Sequence, residues 1–161
     1  MDIPRGANII KAKFLFKRKS DGRYKVRLVA KGFSQIEGID YGDVFAPVVG
    51  KNTLRLLLAM AAVEDWHIEQ CDVDTAFLHG NLEETLFMEA PEGSSYPAGT
   101  ILRLKKSLYG LKQAPRAWNK RLHEYIISAG FRRCHIDQSV YIKGSGSSHE
   151  QSTDDTAERE S

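Results

Sequence analysis

Two stretches, residues 13–19 (KFLFKRK) and 24–31 (YKVRLVAK), alternate apolar and charged side chains on either side of Ser20-Asp21-Gly22-Arg23. Period-two alternation flanking an Asp-Gly turn predicts an antiparallel hairpin. Its outward faces display Lys13, Lys17, Lys25 and Arg27 or their neighbours. A hairpin at this position, with a second strand pair near the end of the chain, favours an α+β sandwich over a doubly wound parallel sheet.

The hairpin is also the most basic part of a chain whose formal charge is only +2. Residues 1–31 carry ten Lys or Arg against two Asp, a net of +8. Residues 32–102 sum to −10, residues 103–133 to +8, and the last twelve residues to −4. Two basic blocks around an acidic one could form a groove that grips phosphates around a carboxylate centre. They could equally be solvated faces, because a block in sequence need not be a patch in space.

Leu54, Leu57, Leu58, Ala61 and Ala62 recur with helical spacing, which predicts a helix over 52–64 with Asn52 or Thr53 as its cap. Leu56 and Met60 widen the stripe, so burial on more than one side is expected. Residues 66–73 (WHIEQCDV) read as a strand leading into a short helical segment at 75–79, with Asp74 as its cap. Short strands are expected at 85–89 and 101–105. A second helix is expected over 115–129, with Pro115 in its first turn and Gly130 at its stop. Residues 131–135 and 139–143 read as a last strand pair. From Gly144 the chain turns to Gly, Ser, Thr and acid, which predicts disorder over 144–161.

The longest apolar run, Leu56–Val63, is far short of a bilayer span. The first residues show no signal-peptide pattern. Cys71 and Cys134 lack metal-ligand spacing. These features point to an intracellular chain without membrane contact.

Asp72 follows an apolar run and precedes a tight turn, a place where a carboxylate and a neighbouring carbonyl could bind a divalent cation. Asp72-Val73-Asp74 alone is weak, since caps and surface turns often contain such a pair. The signal sharpens when KVRLVAKGFSQIEGIDYGDVFAPV (25–48), QCDVDTAFLHGNLEETLFMEAPEG (70–93) and KKSLYGLKQAPRAWN (105–119) are read in order. With these strings the chain closely resembles the reverse transcriptase domain of copia-type LTR retrotransposons, over about residues 4–143.

The resemblance implies a partial right-hand polymerase fold over 1–143, with fingers and an incomplete palm built of antiparallel hairpins and packed helices. It implies that Asp72 is the first palm aspartate, a ligand of two Mg²⁺ ions, with the Val73 carbonyl completing the coordination. Phe77 would close on the sugar of the incoming nucleotide and exclude a 2′-hydroxyl. An ordinary core Phe is the plainer reading. Lys25 and Arg27 would hold the triphosphate, or else line a solvated hairpin face. Tyr109 and Gly110 would belong to the second nucleotide-binding motif, and Lys112 and Arg116 would lie along nucleic-acid backbone. Asp74 reads as a helix cap, Trp118 as helix core, and Glu83, Glu84 and Glu89 as a solvated face. The implied partners are an RNA template, a DNA primer, a deoxynucleoside triphosphate and the remaining Pol domains.

One departure from the family pattern stands out. A second carboxylate hairpin, aromatic-apolar-Asp-Asp, is expected just after the segment matching 131–143, and the sequence there reads Gly144-Ser145-Gly146-Ser147-Ser148. Asp154-Asp155 lies between threonines with no apolar strand to hold it. The expectation is therefore a truncated reverse transcriptase fragment, inactive as this chain, with weak or absent metal binding. The alternative is a non-catalytic relic that binds nucleic acid.

Overall fold

A computed structural model describes residues 3–144, so the expectation for the tail falls almost wholly outside the described residues. Among the described residues the chain is a mixed α+β structure with two α-helices and three small sheets. Its strands are β1 (Ile9–Ile10), β2 (Ala12–Arg18), β3 (Tyr24–Ala30), β4 (Phe87–Glu89), β5 (Ile101–Arg103), β6 (Arg132–Arg133) and β7 (Tyr141–Ile142), and its helices are α1 (Lys51–Val63) and α2 (Ala114–Ser128).

The hairpin forms as expected: β2 and β3 pair antiparallel with Lys13 opposite Val29, Leu15 opposite Arg27 and Lys17 opposite Lys25. Directly opposed residues share a face. Lys13, Lys17, Lys25 and Arg27 therefore lie on one side, and Phe14, Phe16, Arg18, Tyr24, Val26 and Leu28 on the other. The sheet β1-β4-β5 joins a parallel pair, Ile9 with Phe87, to an antiparallel one, Met88 with Leu102. The terminal pair β6–β7 forms within its expected span.

The core consists of Ile10, Ala30, Leu86, Met88, Leu108, Leu111 and Ala114, with Leu28, Phe77, Leu82 and Leu102 packed against it. It joins the three-stranded sheet, the base of the hairpin and the loop that opens α2. That loop, 107–113, approaches the hairpin closely: Ala30 N–H donates to the Tyr109 carbonyl at 2.8 Å. Gly110 has φ +91°, and a Cβ there would lie 2.1 Å from the Ala30 oxygen.

Several local expectations need correction. α1 begins at Lys51 behind Gly50, with no side-chain cap from Asn52 or Thr53. Its start is instead tied to a distant residue, since Gly50 N–H donates to Asp137 Oδ2 at 3.1 Å. The stripe on α1 is not buried: only Ala61 is, while Leu54, Leu56, Leu58 and Met60 are exposed. Residues 66–73 form no strand, because nothing among the described residues pairs with them. The short 3₁₀ turn Ala76–His79 is preceded by Thr75 at φ +53°, and no side chain caps it, so Asp74 is not its cap. The end of α2 does match its signal: Ala129, Gly130 and Phe131 N–H groups bond back to the last turn, with Gly130 at φ +86°.

Candidate nucleotide and nucleic-acid site

Three distant segments meet beside the hairpin. Phe77 and Tyr109 stack edge-to-face, with ring centroids 4.9 Å apart. The Arg27 guanidinium lies 6.0 Å from the centre of the Tyr109 ring. Both rings are half-buried, and Phe77 also leans on the core. Lys13, Lys17 and Lys25 share the Arg27 face, and none has an acidic partner among the described residues. Free cations above a fixed aromatic pair can hold phosphates on one side and a flat or sugar-like surface on the other.

The Tyr109–Gly110 loop is held from behind by a buried polar clamp. Gln35 Nε2 donates to Gln113 Oε1 at 2.9 Å, and Gln35 Oε1 accepts the Lys112 N–H at 2.8 Å. Gln113 Nε2 in turn donates to the Asp40 carbonyl at 2.9 Å. The buried Asp40 carboxylate accepts the Ile36 N–H at 2.8 Å and the Asn8 amide. Sequence reasoning passed over Gln35, Asp40 and Gln113. Their only signal is that polar residues sit inside strings of unusual composition, and pairing across 78 positions cannot be read from local pattern.

Lys112 and Arg116 are engaged within the chain. Lys112 Nζ donates to Tyr41 Oη at 2.8 Å and lies 4.5 Å from its ring centre. Arg116 pairs with Asp43 at 3.3 Å and Glu83 at 3.2 Å. Glu83 also takes Lys120 and stays about half exposed, so it lies on the solvated face expected of it and there bridges two cations. Lys120 and then Arg116 hold its carboxyl below the usual range. A phosphate would have to compete with these carboxylates for either cation.

Asp72 and Val73 are exposed, on a segment whose backbone has no ladder. Asp72 has no hydrogen-bond or ion-pair partner among the described residues. Its carboxylate and the adjacent carbonyl are the hard oxygen donors that Mg²⁺ prefers. No group of three or more His, Cys, Asp or Glu able to hold a metal ion occurs among the described residues. The donor chemistry fits Mg²⁺, but the donor number falls short of a centre. Val73 lines a groove of about 250 Å³ together with His79, Trp118, Arg121, Leu122 and Tyr125. Trp118, expected in the helix core, is half-buried in that groove, 6.3 Å from His79. No helix among the described residues is long and apolar enough to cross a membrane.

Residues 1–150 match the family model described as reverse transcriptase (RNA-dependent DNA polymerase). The chain is 45% identical over 150 residues to the retrovirus-related Pol polyprotein from transposon TNT 1-94 of Nicotiana tabacum, an alignment covering 89% of this chain and 11% of that protein. It is 40% identical over 152 residues to the Pol polyprotein from transposon RE1 of Arabidopsis thaliana, covering 90% of this chain and 10% of the other. Against the Ty1-H Gag-Pol polyprotein of Saccharomyces cerevisiae the identity is 34% over 124 residues, 74% of this chain and 7% of that one. The chain thus spans about a tenth of the length of the first relatives it matches. No solved structure matches it.

Proposed function

The chain belongs to the reverse transcriptase (RNA-dependent DNA polymerase) family, and from that premise we propose that it forms the nucleotide-binding side of a right-hand polymerase domain within a retrotransposon Pol polyprotein. The hairpin β2–β3 acts as fingers, and residues 66–89 with the 105–119 segment contribute to the palm. The observation that carries this reading is the meeting of Arg27, Phe77 and Tyr109, which lie in three separate family strings and converge in space.

In this reading Lys25 and Arg27 neutralise the triphosphate, whose charge builds during phosphoryl transfer. Tyr109 supports the base or sugar from below, and Gly110 lets backbone approach the ligand. Phe77 blocks a 2′-hydroxyl and so selects deoxynucleotides. Asp72 and the Val73 carbonyl give this chain's share of the Mg²⁺ ligands; the metal, when bound, supplies charge neutralisation for phosphoryl transfer. The two-metal reaction needs carboxylates from a second place, and among the described residues no group of three or more His, Cys, Asp or Glu able to hold a metal forms around Asp72. The chain alone is therefore expected to leave a primed RNA template unextended.

Nucleotide binding tests the reading directly. Titration of the chain with dGTP and GTP, followed by calorimetry, should show a preference for dGTP. Arg27→Ala should weaken both, and Phe77→Ala should narrow the preference. Equal binding of the two nucleotides by the wild type, or no binding at all, would refute the assignment.

A further inference from the structure

The loop that joins β4 to β5, residues 90–100, has no role in the reading above, and its sequence gives it a fixed shape. Pro91-Glu92-Gly93-Ser94 and Pro97-Ala98-Gly99-Thr100 are two Pro-x-Gly turns. Ser94 N–H donates to the Pro91 carbonyl at 3.1 Å and Thr100 N–H to the Pro97 carbonyl at 3.2 Å. Gly93 and Gly99 sit at φ +82° and +77°. Positive φ at the third residue is what a type II turn requires, and glycine adopts it without strain. Ala90 N–H donates to the Thr100 carbonyl at 2.8 Å and closes the loop on its ladder. The loop encloses a cavity of about 200 Å³ whose walls include Glu89, Pro91, Glu92, Tyr96 and Pro97.

The chemistry of those walls selects the occupant. Glu89 is half-buried at the end of β4 and Glu92 is exposed on the first turn, and neither carboxylate forms an ion pair among the described residues. The Tyr96 ring is 54% exposed and stacks on no other ring there. Two unpaired carboxylates beside an open aromatic face suit a cation with a flat body. The volume falls below the roughly 300 Å³ at which small-molecule and cofactor sites begin, so a single side chain fills it.

We propose that this pocket receives an arginine side chain presented by a basic peptide segment of a partner protein. The guanidinium would lie against the Tyr96 ring and donate to Glu89 and Glu92. Arginine fits better than lysine, because its planar fork stacks and meets carboxylates in one arrangement, whereas an ammonium is a compact, strongly hydrated point charge. A nucleic-acid strand is disfavoured, since its phosphates would face two carboxylates. The pocket shares no residue with the nucleotide site and does not rest on the polymerase reading.

The test is an NMR titration of the full isotope-labelled chain with the capped peptide Gly-Gly-Arg-Gly-Gly and its lysine and citrulline counterparts, all at the same low salt. The arginine peptide should shift the Gly93 and Gly99 amide signals, saturate in the millimolar range and leave Gly110 in place. The citrulline peptide, which keeps the shape and lacks the charge, should shift nothing. The lysine peptide and the Tyr96→Ala variant should each bind about 2- to 5-fold more weakly, the worth of one exposed cation–π contact. Tyr96→Phe should bind as the wild type does, which a collapsed loop would not allow. Glu92→Gln should weaken binding by a similar factor, as for an exposed ion pair, and adding Glu89→Gln should remove it. Unmoved Gly93 and Gly99 signals, equal binding of the lysine or citrulline peptide, or unchanged affinity in Tyr96→Ala would each overturn the pocket. None of these results would touch dGTP binding, and failure of dGTP binding would leave the pocket standing.

Discussion

Replacing Gly110 by Ala should destabilise the fold more than the same change at a positive-φ glycine with open surroundings. The residue has φ +91°, and a Cβ would sit 2.1 Å from the Ala30 carbonyl oxygen and 2.7 Å from Val29 Cγ1. The oxygen cannot swing aside alone, because Ala30 is paired to Ala12 in the ladder and its N–H is bonded to Tyr109. Positive φ costs a non-glycine residue about 1–2 kcal/mol. Forced separation of packed backbone adds roughly 1–3 kcal/mol, and loss of the Ala30–Tyr109 bond adds about 0.5–1.5 kcal/mol. The sum is on the order of 3–6 kcal/mol, a large part of a typical domain's stability. Gly99→Ala provides the control, since Gly99 has φ +77° with nothing within 4 Å of the added carbon. Urea unfolding followed by circular dichroism should place the Gly110→Ala midpoint below the Gly99→Ala midpoint by about 1 M, taking an m-value of about 2 kcal/mol/M. Coincident midpoints would show that the hairpin and the 107–113 loop are not in backbone contact.

Asp137 is held below the usual carboxylate range by the Ser139 and Gly50 N–H groups and by Thr53. A lowered folded-state pKa means that its contribution is present above about pH 4 and fades as pH falls through the folded value. Asp137→Asn should therefore flatten the acid side of the stability profile measured by urea midpoints between pH 5 and 2. Glu83→Gln should change stability by no more than about 1 kcal/mol, because the pairs are half exposed. By releasing Arg116 and Lys120 it should tighten nucleic-acid binding and steepen its salt dependence, and an unchanged slope in an anisotropy titration of labelled RNA would place Arg116 off the interface. Gln113→Leu leaves Gln35 and the Asp40 carbonyl without their partner in a buried place, so a loss of about 1–3 kcal/mol is expected in the same urea assay. Asp72→Asn should leave the urea midpoint within about 0.5 kcal/mol of wild type, as befits an exposed side chain with no partner.

Features governed by neighbours in sequence were readable in advance. The hairpin followed from alternation about Asp21-Gly22, and α2 from Pro115, Gly130 and the spacing between them. The contact of Phe77 with Tyr109 has no signal in periodicity, and the resemblance names the two only as parts of one nucleotide site. What could not be read depends on distant partners. The two residues of β1 carry no pattern and become a strand because Phe87 and Met88 lie alongside. The tie that holds the start of α1, Gly50 N–H to Asp137, comes from far along the chain. The clamp through Gln35, Asp40 and Gln113 looks like ordinary polar loop sequence until it is folded. The opposite error arose at 66–73 and on α1, where apolar pattern implied burial. Pattern reports what a segment can pack against, and burial also requires that the packing partner be there.

That distinction separates the two sides of the proposed site. Arg27, Phe77 and Tyr109 stand on a ladder, a core and a buried polar clamp, so their relative positions are set before any ligand arrives. Preorganisation of this kind is what allows charged groups to act without reorganisation at the moment of reaction. Asp72 stands on a segment whose amides from 67 to 73 find no partner among the described residues, and its carboxylate is fixed by nothing around it. A metal ligand must be held to within a fraction of an ångström to be effective. An additional strand along 66–73 would supply the missing ladder and cover Trp66 and Ile68, both now exposed. In the proposed polymerase, nucleotide recognition would then be intrinsic to these residues, whereas placement of the Asp72 carboxylate would depend on what pairs with residues 66–73.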